Sequence, residues 1–306
     1  MVESNGSRPV VRVGALQVGP AAETHAKTLT ENAELVASAI TDQRLELITL
    51  TELAMAPYFC SVIDDAWFEW AESLDGPSFQ AFSEIARKTR CHIALPIFER
   101  AADRFYNSLV VIDDEGRLVL GRSPSRSDIP AYRKIHLPTN RDEITGELRS
   151  DEPYYFTAGE EIPVFDTKIG VLGSLICFDK RFSELWRALG VAEAEIVLNP
   201  ICTWGEWRNE TYPIEVRVAA MNNQYFVAGT SKAGVENIGF PHHFAGGSHI
   251  AAPDGRLLSS IPVTLGGLAF ADCDLNEVAR ARRTTPIYRD RRPDVYRSLT
   301  DHEGKD

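Results

Sequence analysis

Short β-rich apolar runs alternate along this chain with stretches whose apolar residues recur at helical spacing, and no Gly/Ser- or Pro-rich linker interrupts the pattern. Residues 10–18 predict a strand, and Leu29, Ala33, Val36, Ala37 and Ile40 then mark one face of a helix. Residues 45–50 predict a buried strand ending at Thr51-Glu52, and Phe79, Phe82, Ile85 and Ala86 a second helix with Pro77 in its first turn. A third strand is expected at 91–97, followed by a hairpin in which 108–112 and 117–120 flank Asp113-Asp114-Glu115-Gly116. The middle is looser: 122–128 reads as a loop, 131–137 as an extended piece, and 141–153 as an exposed polar loop or lid. The alternation then returns, with strands at 162–166 and 171–176, a helix at 183–189, a strand at 194–198 and a helix at 214–221 after Pro213. Strands at 225–230, 249–252, 257–261 and 268–272 follow, and Asn276 is expected to cap a last helix running to Arg283. This order confines the fold to the α/β class, with a mixed sheet or sheets in a single domain over 1–306 and a polar C-terminal tail from about Thr284.

Charge and cysteine usage narrow the function. The 306 residues carry 32 Lys and Arg against 44 Asp and Glu, a net charge of −12. Such a surface repels phosphate backbones, so nucleic acid is not an expected partner. No apolar run reaches the roughly 18 residues of a spanning helix, and the polar start at 1–9 lacks the pattern of a secretory signal. Cys60, Cys91, Cys177, Cys202 and Cys273 are odd in number and widely spaced, which argues against a disulfide framework and for a reducing, cytoplasmic home. His242, His243 and His249 fit no zinc pattern, no glycine-rich phosphate loop follows a strand, and no metal or cofactor is expected. Six arginines between Arg280 and Arg292 read as subunit contacts or internal ion pairs.

Three residues stand out for chemistry. Cys177 falls between an expected strand and an expected helix, where free N–H groups and the positive helix end lower a thiol's pKa and can hold an oxyanion. On composition alone the plainer reading, a small buried hydrophobe like the other four, prevails. Glu52 ends a buried strand, where a carboxylate is costly unless it is paired or faces a site; a solvated rim position is the plain alternative. Lys134 interrupts an apolar-leaning segment, as a site cation or as an edge-strand charge against aggregation. A thiol, a base and a cation at three strand ends are the parts a cysteine amidohydrolase needs.

The segments around these residues, Ile48-Thr49-Leu50-Thr51-Glu52-Leu53, Tyr132-Arg133-Lys134-Ile135-His136-Leu137-Pro138 and Leu175-Ile176-Cys177-Phe178-Asp179, resemble the three signatures of the nitrilase superfamily of carbon–nitrogen hydrolases. Tyr106-Asn107-Ser108 and the stretch from Gly247 to Gly255 extend the match in order along nearly the whole chain. Thr51 stands where the family usually has proline, which is expected to alter loop geometry. Tyr154-Tyr155-Phe156-Thr157-Ala158-Gly159, Pro163-Val164-Phe165 and the run from Pro213 to Asn223 are most similar to the branch of β-ureidopropionase and N-carbamoyl amino acid amidohydrolases.

The resemblance implies a four-layer αββα sandwich, a homodimer or larger oligomer, and a Glu52, Lys134, Cys177 triad acting without metal or cofactor. It implies a small amide or ureido substrate, with ammonia and carbon dioxide released from the latter. A second site glutamate is implied as well; Glu152 is the candidate, with Asp151 and Glu147 close enough to compete. Around the substrate, the backbone N–H of Phe178 would receive an oxyanion. Arg181 would hold a substrate carboxylate or else form a structural salt bridge to Asp179 or Glu184. Trp204 would line the pocket or pack in the core. A broad aliphatic or ω-amidase and a cysteine acyltransferase remain the alternative activities.

Overall fold

The computed structural model describes residues 9–300 apart from 206 and 264. Residues 1–8 of the polar start and 301–306 of the polar tail lie outside that range. Two six-stranded mixed sheets carry the fold. The first runs in the order Gly267–Asp274, Val10–Gln17, Leu47–Thr49, His92–Ala101, Arg104–Ile112, Tyr132–Arg133. Its three central strands, Val10–Gln17, Leu47–Thr49 and His92–Ala101, are parallel, and antiparallel strands flank them. The second runs Leu257–Ser260, His249–Ala251, Phe226–Ser231, Ile196–Ile201, Gly170–Ser174, Val164–Thr167, again with a parallel centre and antiparallel flanks.

Alternation along each strand explains the layering, because successive side chains point to opposite faces. Val11, Val13, Ala15, Ala94, Leu109 and Val111 of the first sheet pack into one core with Leu172, Ile196, Leu198 and Val227 of the second. The intervening residues Ile48, Ile93, Leu95, Val110 and Ile112 face outward, onto Val36 and Ile40 of helix His25–Gln43 and Phe82 and Ala86 of helix Pro77–Thr89. Helices Ser183–Val191 and Trp207–Asn223 cover the second sheet through Leu185, Trp186, Leu189, Tyr212 and Val216. The result is the four-layer αββα sandwich. Strands buried on both faces explain why their sequences read as unbroken apolar runs. Among the described residues no helix is long and apolar enough to cross a membrane.

Several local expectations are corrected. The hairpin lies between His92–Ala101 and Arg104–Ile112, turning at Ala102, whose φ is 55°. Asp113 to Gly116 forms a turn, but only an isolated bridge, Ile112 to Leu118, follows it. Helix Trp207–Asn223 begins before Pro213 rather than after it. Asp274, not Asn276, caps helix Leu275–Thr284, accepting from the Asn276 N–H at 3.0 Å. The polar stretch after Thr284 contains a further helix, Pro293–Thr300, and Tyr288 is anchored by its hydroxyl to the Asn223 carbonyl. Residues 139–151 form a small hairpin of Thr139–Arg141 and Leu148–Asp151.

The strand Tyr132–Arg133 at the edge of the first sheet is pressed from one side by Gly159, where a Cβ would come within 2.1 Å of the Arg133 carbonyl oxygen. Gly159→Ala must therefore displace backbone, and is expected to cost about 1–3 kcal/mol of stability in urea unfolding. A variant as stable as the parent would show that this edge yields freely.

Candidate active site

Glu52 follows the parallel strand Leu47–Thr49, Lys134 follows Tyr132–Arg133, and Cys177 follows Gly170–Ser174. Strand ends at the carboxyl edge of parallel sheets are where α/β folds gather functional groups. Here they bring the first two into direct contact. Lys134 Nζ donates to Glu52 Oε1 at 2.8 Å and to Glu152 Oε1 at 2.8 Å, with Glu152 Oε2 at 2.7 Å. All three side chains are buried. Glu152 opens the single helical turn Glu152–Tyr155. Asp151 instead lies 3.4 Å from the Thr139 hydroxyl, and Glu147 is exposed beside Arg149, so only Glu152 of the three carboxylates meets Lys134.

Two carboxylates and one ammonium share this dry space. Burial raises the pKa of Glu152 and the charge of Glu52 adds to it, although Lys134 pulls the other way. For Lys134 burial opposes the charged form, yet Glu152 and Glu52 outweigh it, and its pKa stands well above the ordinary lysine range. Asn107 donates from its side-chain amide to Glu52 Oε1 at 2.8 Å. Its carbonyl accepts from the Lys134 N–H at 2.8 Å, so one residue registers both groups. Tyr58 adds a hydroxyl 3.2 Å from Glu152 Oε1 and 2.7 Å from Ser150 Oγ.

Cys177 opens the 3₁₀ turn Cys177–Arg181 with φ of 47°, a left-handed conformation unusual for a residue with a Cβ. Four of the five cysteines are buried, and Cys177 alone is partly accessible. Burial pushes its thiol up to about 12, Glu52 adding to the shift and Lys134 and Lys180 opposing it. This runs against the expectation that the turn would depress the thiol: desolvation is the largest influence on the sulfur, and Glu52 adds to it. Glu52, Lys134 and Glu152 all act on the same sulfur.

The turn is tied to the lysine strand by Asp179. Its carboxylate accepts from the Tyr132 hydroxyl at 2.6 Å, the His136 N–H at 2.8 Å and the Ile135 N–H at 3.4 Å. On the opposite side of that strand Arg133 Nε donates to the buried Glu99 at 2.9 Å. Asp179, Asn107 and Tyr58 carry no expected site role in the sequence, since each acts through a partner distant along the chain.

The remaining expected residues divide. Phe178 is half-buried against Phe182, and its N–H, near the start of the turn, has no acceptor within it. Arg181 pairs with Glu215 at 2.7 Å, rather than with Asp179 or Glu184. Arg208 and Lys180 approach the same carboxylate at 3.4 and 3.9 Å. Trp204 packs on Tyr58 at 5.2 Å and on His242 at 4.7 Å between ring centres, one layer behind Glu152. A groove of about 1470 Å³ on the outer face is lined by Lys180, Arg181 and Glu215 but by none of Glu52, Lys134, Glu152 and Cys177. His242 contacts Ser61 Oγ at 2.7 Å, and His249 lies beside the Gly247 carbonyl.

Comparison with known proteins gives the family and the fold. The carbon–nitrogen hydrolase family model matches residues 12–283. A β-ureidopropionase of Arabidopsis thaliana is 30% identical over 289 residues, covering 87% of this chain and 67% of that protein. An N-carbamoylputrescine amidase of Solanum lycopersicum is 28% identical, covering 96% of each. Among solved structures, a carbon–nitrogen hydrolase from Helicobacter pylori G27 superposes with a TM-score of 0.83 at 25% identity, over 96% of this chain and 99% of that one.

Lys134→Met would leave two buried carboxylates with no cation between them. Stability is expected to fall by about 3–5 kcal/mol near pH 8. Because burial already raises the pKa of Glu152, acid should protonate it and shrink that deficit toward pH 5. Thermal melts of parent and variant across this range check the sign, and a pH-independent difference would show that the lysine is not offsetting carboxylate charge.

Proposed function

This chain belongs to the carbon–nitrogen hydrolase family, within the nitrilase superfamily, and from that membership we propose that it hydrolyses N-carbamoyl-β-alanine or N-carbamoyl amino acids by way of Cys177. Glu52 takes the thiol proton as Sγ attacks the ureido carbonyl carbon. A protonated resting thiol makes this base necessary. Lys134 gives two of its N–H groups to carboxylates, which leaves one to meet the developing oxyanion together with the Phe178 N–H. As the carbon–nitrogen bond breaks, Glu52 returns the proton to the departing amine. Water, activated by the same carboxylate, then cleaves the carbamoyl thioester, and the carbamate breaks down to carbon dioxide and ammonia. Glu152 holds the lysine in place and keeps it charged.

The observation that carries the substrate class is the cation excess beside the nucleophile. Lys180, Arg181 and Arg208 surround one carboxylate, Glu215, and Lys180 and Arg208 both act on the Cys177 sulfur. Arg208 Nε is buried without a hydrogen-bond partner. Three cations against one anion favour a substrate that brings a carboxylate, and disfavour one ending in an amine such as N-carbamoylputrescine. The Arg181 pair with Glu215 favours a second reading, a broad aliphatic or ω-amidase in which that arginine is structural. An acyltransferase has no feature of its own in its support.

Product release from N-carbamoyl-β-alanine, N-carbamoyl-D- and L-amino acids, N-carbamoylputrescine and a simple aliphatic amide separates these readings. The carboxylate-bearing substrates should exceed N-carbamoylputrescine by about tenfold or more in kcat/KM, and Arg208→Met should erase much of that margin, as loss of a charged contact does. Cys177→Ala should abolish turnover. Turnover of the plain amide alone would move the substrate class to the second reading.

The exposed apolar residues Val191, Ile214, Val218 and Met221 lie on the two helices covering the second sheet. Burial of this face in a homodimer or larger oligomer is part of the same reading, and Val218→Asp should lower the mass measured by sedimentation. An unchanged mass would place the contact elsewhere. A cytoplasmic location is consistent with the five free thiols.

A further inference from the structure

A second ion pair is as deeply buried as the first, yet takes no part in the reaction above. Lys232 is fully buried and Glu236 nearly so. Lys232 Nζ lies 2.8 Å from Glu236 Oε1 and donates to the Ala56 carbonyl at 2.9 Å. Glu236 Oε1 also accepts from the Ala21 N–H at 2.9 Å, and Oε2 accepts from the Tyr58 N–H at 2.7 Å. A buried ion pair is a poor source of net stability, because desolvation offsets its attraction. What this pair grips is therefore the informative part. Its cation holds the carbonyl of residue 56 and its anion the N–H of residue 58, two points on the loop that starts at Glu52.

That loop reaches the site a second time through the Tyr58 side chain. The hydroxyl is 3.2 Å from Glu152 Oε1, and the ring is wedged between Trp204 at 5.2 Å and His242 at 5.5 Å. With the ring confined, the backbone position at residue 58 decides where the hydroxyl stands against Glu152, and Glu152 in turn holds Lys134.

We propose that Lys232 and Glu236 are positioning residues for the reaction, fixing the backbone at Ala56 and Tyr58 so that the Tyr58 hydroxyl keeps Glu152 aligned with Lys134. This rests on the reading of Glu152 and Lys134 as part of the catalytic machinery. A pair that merely fastens the loop would cost stability when altered and leave turnover of the folded protein unchanged.

Glu236→Gln, Tyr58→Phe, the double variant and Glu152→Gln, each checked for folding by thermal melt, test the proposal on the best substrate. Glu236→Gln is expected to lower kcat about tenfold or more with KM changed less than about threefold, as small misplacements of a catalytic group do. Acting through Tyr58, it should add less than about a threefold further loss in the Tyr58→Phe background. Lys232→Arg, which keeps the cation, should retain most of the turnover. If Glu236→Gln does not fold, Glu236→Asp carries the same expectation. A folded Glu236 variant with parental kcat, or losses that multiply in the double variant, overturns the proposal. When Glu152→Gln has lost turnover, that result leaves the site reading standing; full turnover in Glu152→Gln overturns both.

Discussion

The ammonium of Lys134, buried between two carboxylates, is the interaction on which the rest of the structure depends. In that low-dielectric space each charge is tolerable only while the others stay in place. The sheets deliver Glu52, Lys134 and Glu152 from three separate stretches of chain, and a sheet edge alone does not fix side chains to the nearest ångström. The surrounding polar contacts do so. Asp179 ties the lysine strand to the Cys177 turn, Arg133 and Glu99 hold the same strand from its other face, and Asn107 registers Lys134 and Glu52 together. Each is a polar group whose burial is compensated by placing a neighbour.

The same charge balance sets the state of the sulfur. Burial and the neighbouring Glu52 raise the Cys177 thiol, and the other four cysteines are likewise raised by burial. On the proposed reading, reactivity is withheld until a substrate carbonyl is in place and the proton can move to Glu52 as the sulfur attacks. A standing thiolate would be exposed to oxidants and to any passing electrophile. The backbone is left-handed at Cys177 and at Leu53, next to Glu52, so the chain accepts local strain beside both groups.

Much of this was legible in the sequence because burial on both faces writes itself as apolar runs. The central strands and the helices facing the first sheet lie within a few residues of where the apolar spacing puts them. Misplacements have local causes. Ala102 turns left-handed without the glycine or asparagine that advertises such a turn, so the real hairpin left no signal while Asp113 to Gly116 drew attention instead. Helix Trp207–Asn223 opens with the polar run 208–211 and holds Pro213 inside it, and Pro241 inside the small sheet of Ala233–Ile238 and Phe240–Ala245 disguises a strand. Tyr58 and Asp179 escaped for a different reason, as did the contacts that Lys232 and Glu236 make with residues 21, 56 and 58: these partners lie tens of residues away, and spacing along the chain does not encode that.

Arg181 shows the same limit at the site itself. Its place four residues after the cysteine fits a guanidinium facing substrate or a salt bridge to Asp179 or Glu184, but in the fold it meets Glu215 from a neighbouring helix. That pairing rearranges the cation group rather than cancelling it. Glu52, Glu152 and Lys134 together carry a net negative charge when all three are ionised, whereas Lys180, Arg181, Arg208 and Glu215 carry a net positive one. On the proposed reading this polarity orients a ureido acid end to end. Its carbonyl goes to the ammonium and backbone donors, and its carboxylate to the cations. A chain with a net charge of −12 would otherwise repel such a substrate, so the local excess of positive charge serves approach as well as alignment. The opposite polarity at these two places would suit an amine-terminated substrate instead, which makes Lys180 and Arg208, more than the triad shared by every reading, the residues on which substrate class turns.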